Sequence, residues 1–435
     1  MKIRGRSLFA SACLIALSAA TSSVAAQASG KAVRESSGRW EGVARVPGQG
    51  ALRVVIALDS SSSGWHGSLT VPSQSPQPFK FASVARAKDS LILQLPANAQ
   101  NGVLRVALSP DGRQLSGLLI AQGQGSVVAA RAGTPDAAAL LAPVLRTEQS
   151  RETANRLAKS VPPAKPPTPN PDSARLVTSD IQLFWSALDR APADSLAEYL
   201  QHDYLDKASV GVRDFIPGRI LSAEDLAAYV RARRATYDSV RAANLDVTKA
   251  EADIRNAFRR LKELYPPAVF PDVYFVIGRF NSGGTSTDHG LLIGAEMYRD
   301  PASLPGIVSH ELIHFQQRYP SEPLLEHSFM EGSADFVGEL ISGRQINNDA
   351  HKYGIAHEAE LWKEFSAHFD DKNYFPWMYG RPTDGKPNDL GYFIGYRIAQ
   401  AYYNKAPDKT EAIRDIITAR NGHVRELLAM SGYAP

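Results

Sequence analysis

The residues best suited to chemistry lie in "GIVSHELIHFQQ", Gly306 to Gln317, where two histidines stand four residues apart with a glutamate directly after the first. On a helix, His310 and His314 fall one turn apart on one face, the spacing at which two imidazoles reach a single zinc ion. Glu311 projects beside them, placed to take a proton from a water as it attacks a carbonyl. Zinc would lower the pKa of that water to about 7 and polarise the carbonyl. Because the motif fixes only three positions of five, its surroundings decide its weight. Ile307, Val308, Leu312, Ile313 and Phe315 make this a buried helix, with Ser303 placed to cap its start and Pro305 suited to the first turn. Buried polar groups need partners. A metal supplies them here, and the bland alternative is bonding of the histidines to neighbouring side chains.

A catalytic zinc takes three protein ligands and keeps one position open. The metzincin pattern would place glycine at 317 and histidine at 320, but Gln317 and Pro320 stand there. The next segment, "PLLEHSFMEGSADFVGELISG", reads as a second helix with Leu324, Leu325, Phe329, Phe336, Val337, Leu340 and Ile341 as its apolar positions and Gly343 near its end. Within it Glu331 and Asp335 share one face, beside Gly332 and Ala334, which are small enough to let another helix close in. Glu331 is the expected third ligand. Glu322, Glu326 and His327 compete with it, but they face other sides of that helix or sit near its start. His289, His351, His357 and His368 read as surface or locally bonded histidines.

"HELIH" followed by "EGSAD" resembles the gluzincin group of zinc metallopeptidases. The resemblance implies one zinc per chain on His310, His314 and Glu331, with Asp335 orienting a ligand histidine. A carboxylate that accepts the other ring N–H of a ligating imidazole fixes its tautomer and raises its basicity, which agrees. More narrowly, the run from "GRFNSGGTSTDHGLLIGAEMY" to "GYFIGYRIAQAYY" is similar to a family of bacterial zinc-dependent proteases of unassigned substrate. The gluzincin resemblance also implies a downstream tyrosine or histidine that donates a hydrogen bond to the oxyanion. Tyr392 is the first choice and Tyr396 the second, the alternative being tyrosines packed in a helix interface lined by Gly391 and Gly395. "LLIGAEMY", Leu291 to Tyr298, stands where zincins keep a substrate-pairing edge strand. Its Glu296 is a weaker candidate for binding a free amino terminus, and "NSGGT" before it reads as a hairpin turn, the alternative being a mobile substrate loop.

These residues must be positioned by elements spread along 435 residues, 44% of them hydrophobic, enough for two domains and a sizeable core. From about Arg39 to Arg131 short period-two runs alternate with Gly, Pro, Asn and Ser, and "SPDG" at Ser109 to Gly112 reads as a hairpin turn. This is an antiparallel β-barrel or sandwich, and its "GRWEG" and "GWHGSLTVP" stretches resemble lipocalin-like β-domains. A stretch from 133 to 173, with "VPPAKPPTPNPD" at its core, reads as a semi-rigid extended linker. From 174 the period is helical, with segments near 178–200, 222–240, 247–265, 351–369, 388–405 and 409–430, interrupted by strand-like "VYFVIG" and "LLIGAEMY". The expected architecture is therefore a β-rich accessory domain (29–132), the linker, and a mainly helical, zincin-like α+β catalytic domain (174–435).

Residues 1–28 carry Lys2, Arg4 and Arg6, then an apolar stretch, then a small-residue close, which is the pattern of a cleaved secretory signal. They also hold the single cysteine, Cys13, so the mature chain could form no disulfide. Taking three of the 48 basic residues away leaves 45, equal to the 45 acidic ones. With no dense basic run, nucleic acid is not an expected partner. Nor does any later segment offer an apolar run long enough for stable membrane insertion. The expectation is a periplasmic or secreted zinc-dependent peptidase acting on peptide or protein substrates, its oligomeric state unreadable. The rivals are a binding or scaffold protein with a structural zinc, and a zinc hydrolase of a non-peptide amide or ester.

Overall fold

The computed structural model describes residues 36–46, 50–62, 64–97, 102–120, 124–317, 322–374, 377–379, 385–419 and 423–435. The expected signal segment lies outside them. Two compact units divide the chain, Met1–Gln149 and Ser150–Pro435.

In the first unit the period-two runs become nine strands: β1 (Gly38–Val46), β2 (Gly50–Ser61), β3 (Gly64–Val71), β4 (Ser75–Lys80), β5 (Ser83–Ala87), β6 (Ser90–Gln94), β7 (Val103–Leu108), β8 (Gln114–Ile120) and β9 (Gln124–Arg131). They form one sheet in the order β4-β3-β2-β1-β9-β8-β7-β6-β5, antiparallel throughout. The sheet curls into a half-barrel, and the Phe81 N–H between β4 and β5 donates to Gly67 O on β3 at 3.0 Å. Trp40, Ile56, Leu93, Leu104 and Leu115 point to one face and are fully buried, as alternation requires. The turn at Ser109 to Gly112 forms as expected, with the Gly112 N–H on Ser109 O at 2.9 Å and φ +72° at Gly112.

The stretch expected to be extended from 133 is instead helical over Pro135–Lys159. Its Ala, Leu, Glu and Arg content favours helix, Thr134 Oγ1 accepts the Ala137 N–H, and Pro143 is accommodated inside. Only the segment after Ser160 runs without regular structure, and Thr168 forms an isolated antiparallel bridge with Phe270.

The second unit is built from helices around a small sheet ordered β10 (Leu176–Val177), β11 (Val273–Val276), β13 (Gly290–Gly294), β12 (Gly284–Thr287). β10, β11 and β13 are parallel, while β12 runs antiparallel to β13. Every residue of β11 and β13 is buried. The expected edge strand "LLIGAEMY" is therefore central and ends at Gly294, with a 3-10 turn over Ala295–Met297. The outermost strand is β12, from the stretch "GTST" that begins inside the expected hairpin turn. Hydrophobic "LLIG" belongs in the middle of a sheet, where both faces are covered. The expected helices form, several in two pieces: Ala223–Ala232 with Arg234–Leu245, and Asn348–Ala356 with Glu358–Ser366. Among the described residues no helix is long and apolar enough to cross a membrane.

Three helices matter for the site: the motif helix Leu304–Gln316, the following helix Leu324–Ser342, and a later helix Leu390–Lys405. Pro305 occupies the first turn of the motif helix, but Ser303 makes no cap, because its hydroxyl is turned back to Asp300 O at 2.7 Å. The small residues do what their size allows. A Cβ on Gly332 would lie 2.2 Å from Tyr396 N, and one on Gly395 would lie 1.7 Å from Ser328 O, so the second and third helices touch backbone to backbone. Gly395→Ala is expected to lower stability by about 1–3 kcal/mol or more, read as a lower unfolding midpoint of the full chain.

Candidate metal centre

The motif helix is buried along nearly its whole length, held between β12 and β13 on one side and the following helix on the other. This burial leaves His310 only 6% exposed and Glu311 6% exposed. His310 Nε2 and His314 Nε2 approach to 2.9 Å. Glu331, buried on the following helix, brings Oε2 to 3.1 Å from His314 Nε2 and 3.5 Å from His310 Nε2. Among the described residues these three form the group able to hold a metal ion.

The outer ring nitrogens settle what the inner ones offer. His310 Nδ1–H donates to Asp335 Oδ1 at 2.7 Å, and Asp335 Oδ2 accepts from Asn347 Nδ2 at 2.6 Å. His314 Nδ1–H donates to Gln317 Oε1 at 2.8 Å, while Gln317 Nε2 donates to Met330 O and Ser333 Oγ, both at 3.1 Å. With Nδ1 of each ring donating, each Nε2 presents a lone pair to the other and to a carboxylate. Three electron-rich atoms so close in a buried space require a shared cation, a proton or a metal ion. Ligands 2.0–2.1 Å from a tetrahedral zinc stand roughly 3.3 Å apart, and the observed 2.9, 3.1 and 3.5 Å bracket that spacing. The residues fit the ion.

Electrostatics of the protein alone express the same demand. Burial opposes charge on His310, but its hydrogen bonds to Asp335 and Glu331 outweigh burial and hold its pKa well above the ordinary value. His314 is raised too, the attraction of Glu331 overcoming its burial. Glu331 is held well below the usual carboxylate range, because the charge of His314 and the bonds from both rings outweigh its burial. Glu311 is pushed up by burial, which the two imidazoles only partly offset. Its carboxylate lies against the start of β12, where a Cβ on Gly284 would come within 2.4 Å of Glu311 Oε1.

Tyr392 joins this group. Its ring stacks on His310 with centroids 6.2 Å apart and planes 18° apart, and burial followed by the nearby Glu331 charge keeps its phenol protonated. Tyr396 does not join. One turn further along, it packs edge-on against Phe336 and His351, and its hydroxyl is bonded to Glu339. Glu296 is also withdrawn: fully buried, it accepts the Phe280 N–H at 3.2 Å and has no exposed face for a substrate. The other histidines are locally bonded as expected, His289 to Asp214 and Pro162 O, His357 to Tyr353 O, His368 to Asp371, and His351 to Gln345.

Two site residues escaped the sequence. Gln317, whose identity departs from the metzincin pattern, holds His314. Tyr379 donates from its hydroxyl to Glu331 Oε1 at 2.8 Å and meets His327 Nε2 at 2.8 Å. No periodic signal marks a tyrosine in a loop. The competitor Glu326 is buried but pairs with neither histidine, and Glu322 is bonded to Tyr374.

Residues 280–418 match a family described as "Predicted Zn-dependent protease", and residues 172–319 match one described as "Gliding motility protein GldB". Each covers about a third of the chain, and the first contains every residue of the group just described. A search of curated proteins finds no match.

Elemental analysis after dialysis against a weak chelator is expected to find about one zinc per wild-type chain and much less in Glu331→Ala. Equal zinc in both would remove Glu331 from the ligand set. Glu296 makes a separate demand. Burial raises its pKa to about 7 from an ordinary 4.5, so the folded chain keeps a proton that the unfolded chain releases. Its contribution to stability is therefore complete below pH 4.5 and is lost as pH rises toward 7. Unfolding midpoints measured across that range should decline less in Glu296→Gln than in wild type.

Proposed function

We propose that this chain is an exported zinc-dependent peptidase in which His310, His314 and Glu331 hold one zinc ion and Glu311 acts as general base and then general acid. One observation carries the reading: two Nε2 atoms and Glu331 Oε2 converge within 3.5 Å, with both outer ring nitrogens already bonded and a glutamate buried alongside. A set of two histidines and one carboxylate is that of catalytic zinc, whereas a structural site takes four protein ligands. Among the described residues three converge. The likeness to a predicted Zn-dependent protease family supports the same choice.

Zinc bound there would polarise the scissile carbonyl and lower the pKa of water to about 7. Glu311 takes the proton of the attacking water and passes it to the departing amine nitrogen. Asp335 and Gln317 keep the two rings from turning. Tyr392, stacked on His310, supplies a hydroxyl to the oxyanion by exchanging its hydrogen bond to the Tyr379 hydroxyl for one to substrate. β12 is the outermost strand, so one row of its backbone groups faces away from the sheet and can pair with an extended polypeptide. Gly284 at its start lies against Glu311, which would bring such a peptide to the reacting carboxylate. Export is supported by the basic, apolar and small-residue order of residues 1–28, and the likeness to a gliding motility protein is in keeping with an envelope location.

Glu311→Gln should retain zinc and fold but hydrolyse a peptide library about 10²–10⁴-fold more slowly. Gly284→Ala should act in the same direction, because its methyl group would displace the carboxylate. Full activity in Glu311→Gln would sink the mechanism. Turnover of acyl-amides or esters without peptides, in a parallel screen, would move the chain to another class of hydrolase.

A further inference from the structure

Tyr379 is poised in an unusual way. Its backbone is left-handed at φ +59°, as is that of Asp389 at +60°, and the two are joined by the Tyr379 N–H on Asp389 Oδ1 at 2.8 Å. Non-glycine residues held in that region persist only where the surroundings impose it, and such strain gathers at functional sites. What the strain secures is the aim of one hydroxyl. His327 and Glu331 lie one turn apart on the same helix and both reach that hydroxyl, at 2.8 Å each, and the Tyr392 hydroxyl is bonded to it as well. Since the hydroxyl donates to Glu331 Oε1, His327 donates to the hydroxyl. His327 cannot turn away, because its ring is stacked on Tyr374 at 4.2 Å with planes 6° apart.

The two oxygens of Glu331 are thereby given different work. Oε1 is taken by Tyr379, and Oε2 faces the two histidines. We infer that Tyr379 is a positioning residue for the metal centre, holding Glu331 so that a single carboxylate oxygen is presented to the ion, with His327 holding Tyr379. This rests on the metal reading above. With the hydroxyl removed, the Glu331 carboxylate is free to rotate and offer both oxygens, which spoils the preformed site and fills a position that substrate needs.

The test uses the full chain, with zinc affinity measured by chelator competition and cobalt(II) as a spectroscopic stand-in. Tyr379→Phe should bind zinc about 10–100-fold more weakly and shift the visible cobalt bands toward higher coordination. His327→Leu should weaken zinc in the same sense. His327→Gln, whose amide N–H stands near the place of Nε2–H, should stay close to wild type, a rescue that a merely structural role for the ring would not produce. Wild-type affinity and an unchanged cobalt spectrum in Tyr379→Phe would overturn the inference while leaving the metal site standing. A wild-type chain that takes up no zinc would overturn both.

Discussion

Two imidazole nitrogens 2.9 Å apart, with a carboxylate oxygen 3.1 and 3.5 Å away, cannot rest in a buried space without a cation among them. Much of the surrounding architecture serves to keep them there. Each ring is pinned from behind, His310 by Asp335 and Asn347, His314 by Gln317 and Ser333. The carboxylate comes from a second helix that must run close to the first. A Cβ on Gly338 would lie 3.2 Å from His310 N, so the lack of a side chain there sets the depth of the crossing. The third helix closes over the second through Gly332 and Gly395, and it brings Tyr392 onto the His310 ring.

The sheet contributes through its outermost strand. The chain between β11 and β12 is fastened at several points: Tyr204 Oη donates to Ile277 O, Tyr237 Oη to Gly278 O, and Arg279 Nε to Arg219 O. Asn244 Nδ2 fixes the other end of β13 through Ala295 O. Glu296 adds to these fastenings by accepting the Phe280 N–H at 3.2 Å. Each of these bonds is buried or partly so, where a hydrogen bond gains and an unmade one costs most. The result is a frame that sets Gly284 against Glu311, and the Glu311 carboxylate acquires its position from the sheet as well as from its own helix.

What was legible in the sequence follows from how local each signal is. His310, Glu311 and His314 sit within one helical turn, and Glu331 with Asp335 within another, so helical spacing alone groups them. The half-barrel was legible because alternation is a property of each strand by itself. The strand order of the small sheet was not, since "GTST" carries no hydrophobic alternation and "LLIG" reads as a strand whether central or at an edge. The helix over Pro135–Lys159 was hidden by the prolines around it, although its own residues favour helix. Gln317 and Tyr379 act through contacts whose meaning depends on the crossing of helices and the path of a loop, and neither leaves a trace in period or spacing.

The helix Leu324–Ser342 carries an unusual load of buried polar side chains. Glu326, His327, Ser328, Glu331, Ser333 and Asp335 are all buried on it, and a helix packed into a core would be more stable with apolar residues at most of these positions. Nearby, Tyr379 and Asp389 hold left-handed backbone that glycine would adopt without strain. Buried polar side chains and left-handed backbone thus accumulate within one small region, although left-handed non-glycine residues also occur at Lys88, Leu221 and Phe280. Such features gathered around one set of converging atoms are what a preorganised site requires. Polar groups whose hydrogen bonds are fixed before substrate arrives need little rearrangement when charge develops, and the rest of the core supplies the stability that tolerates them.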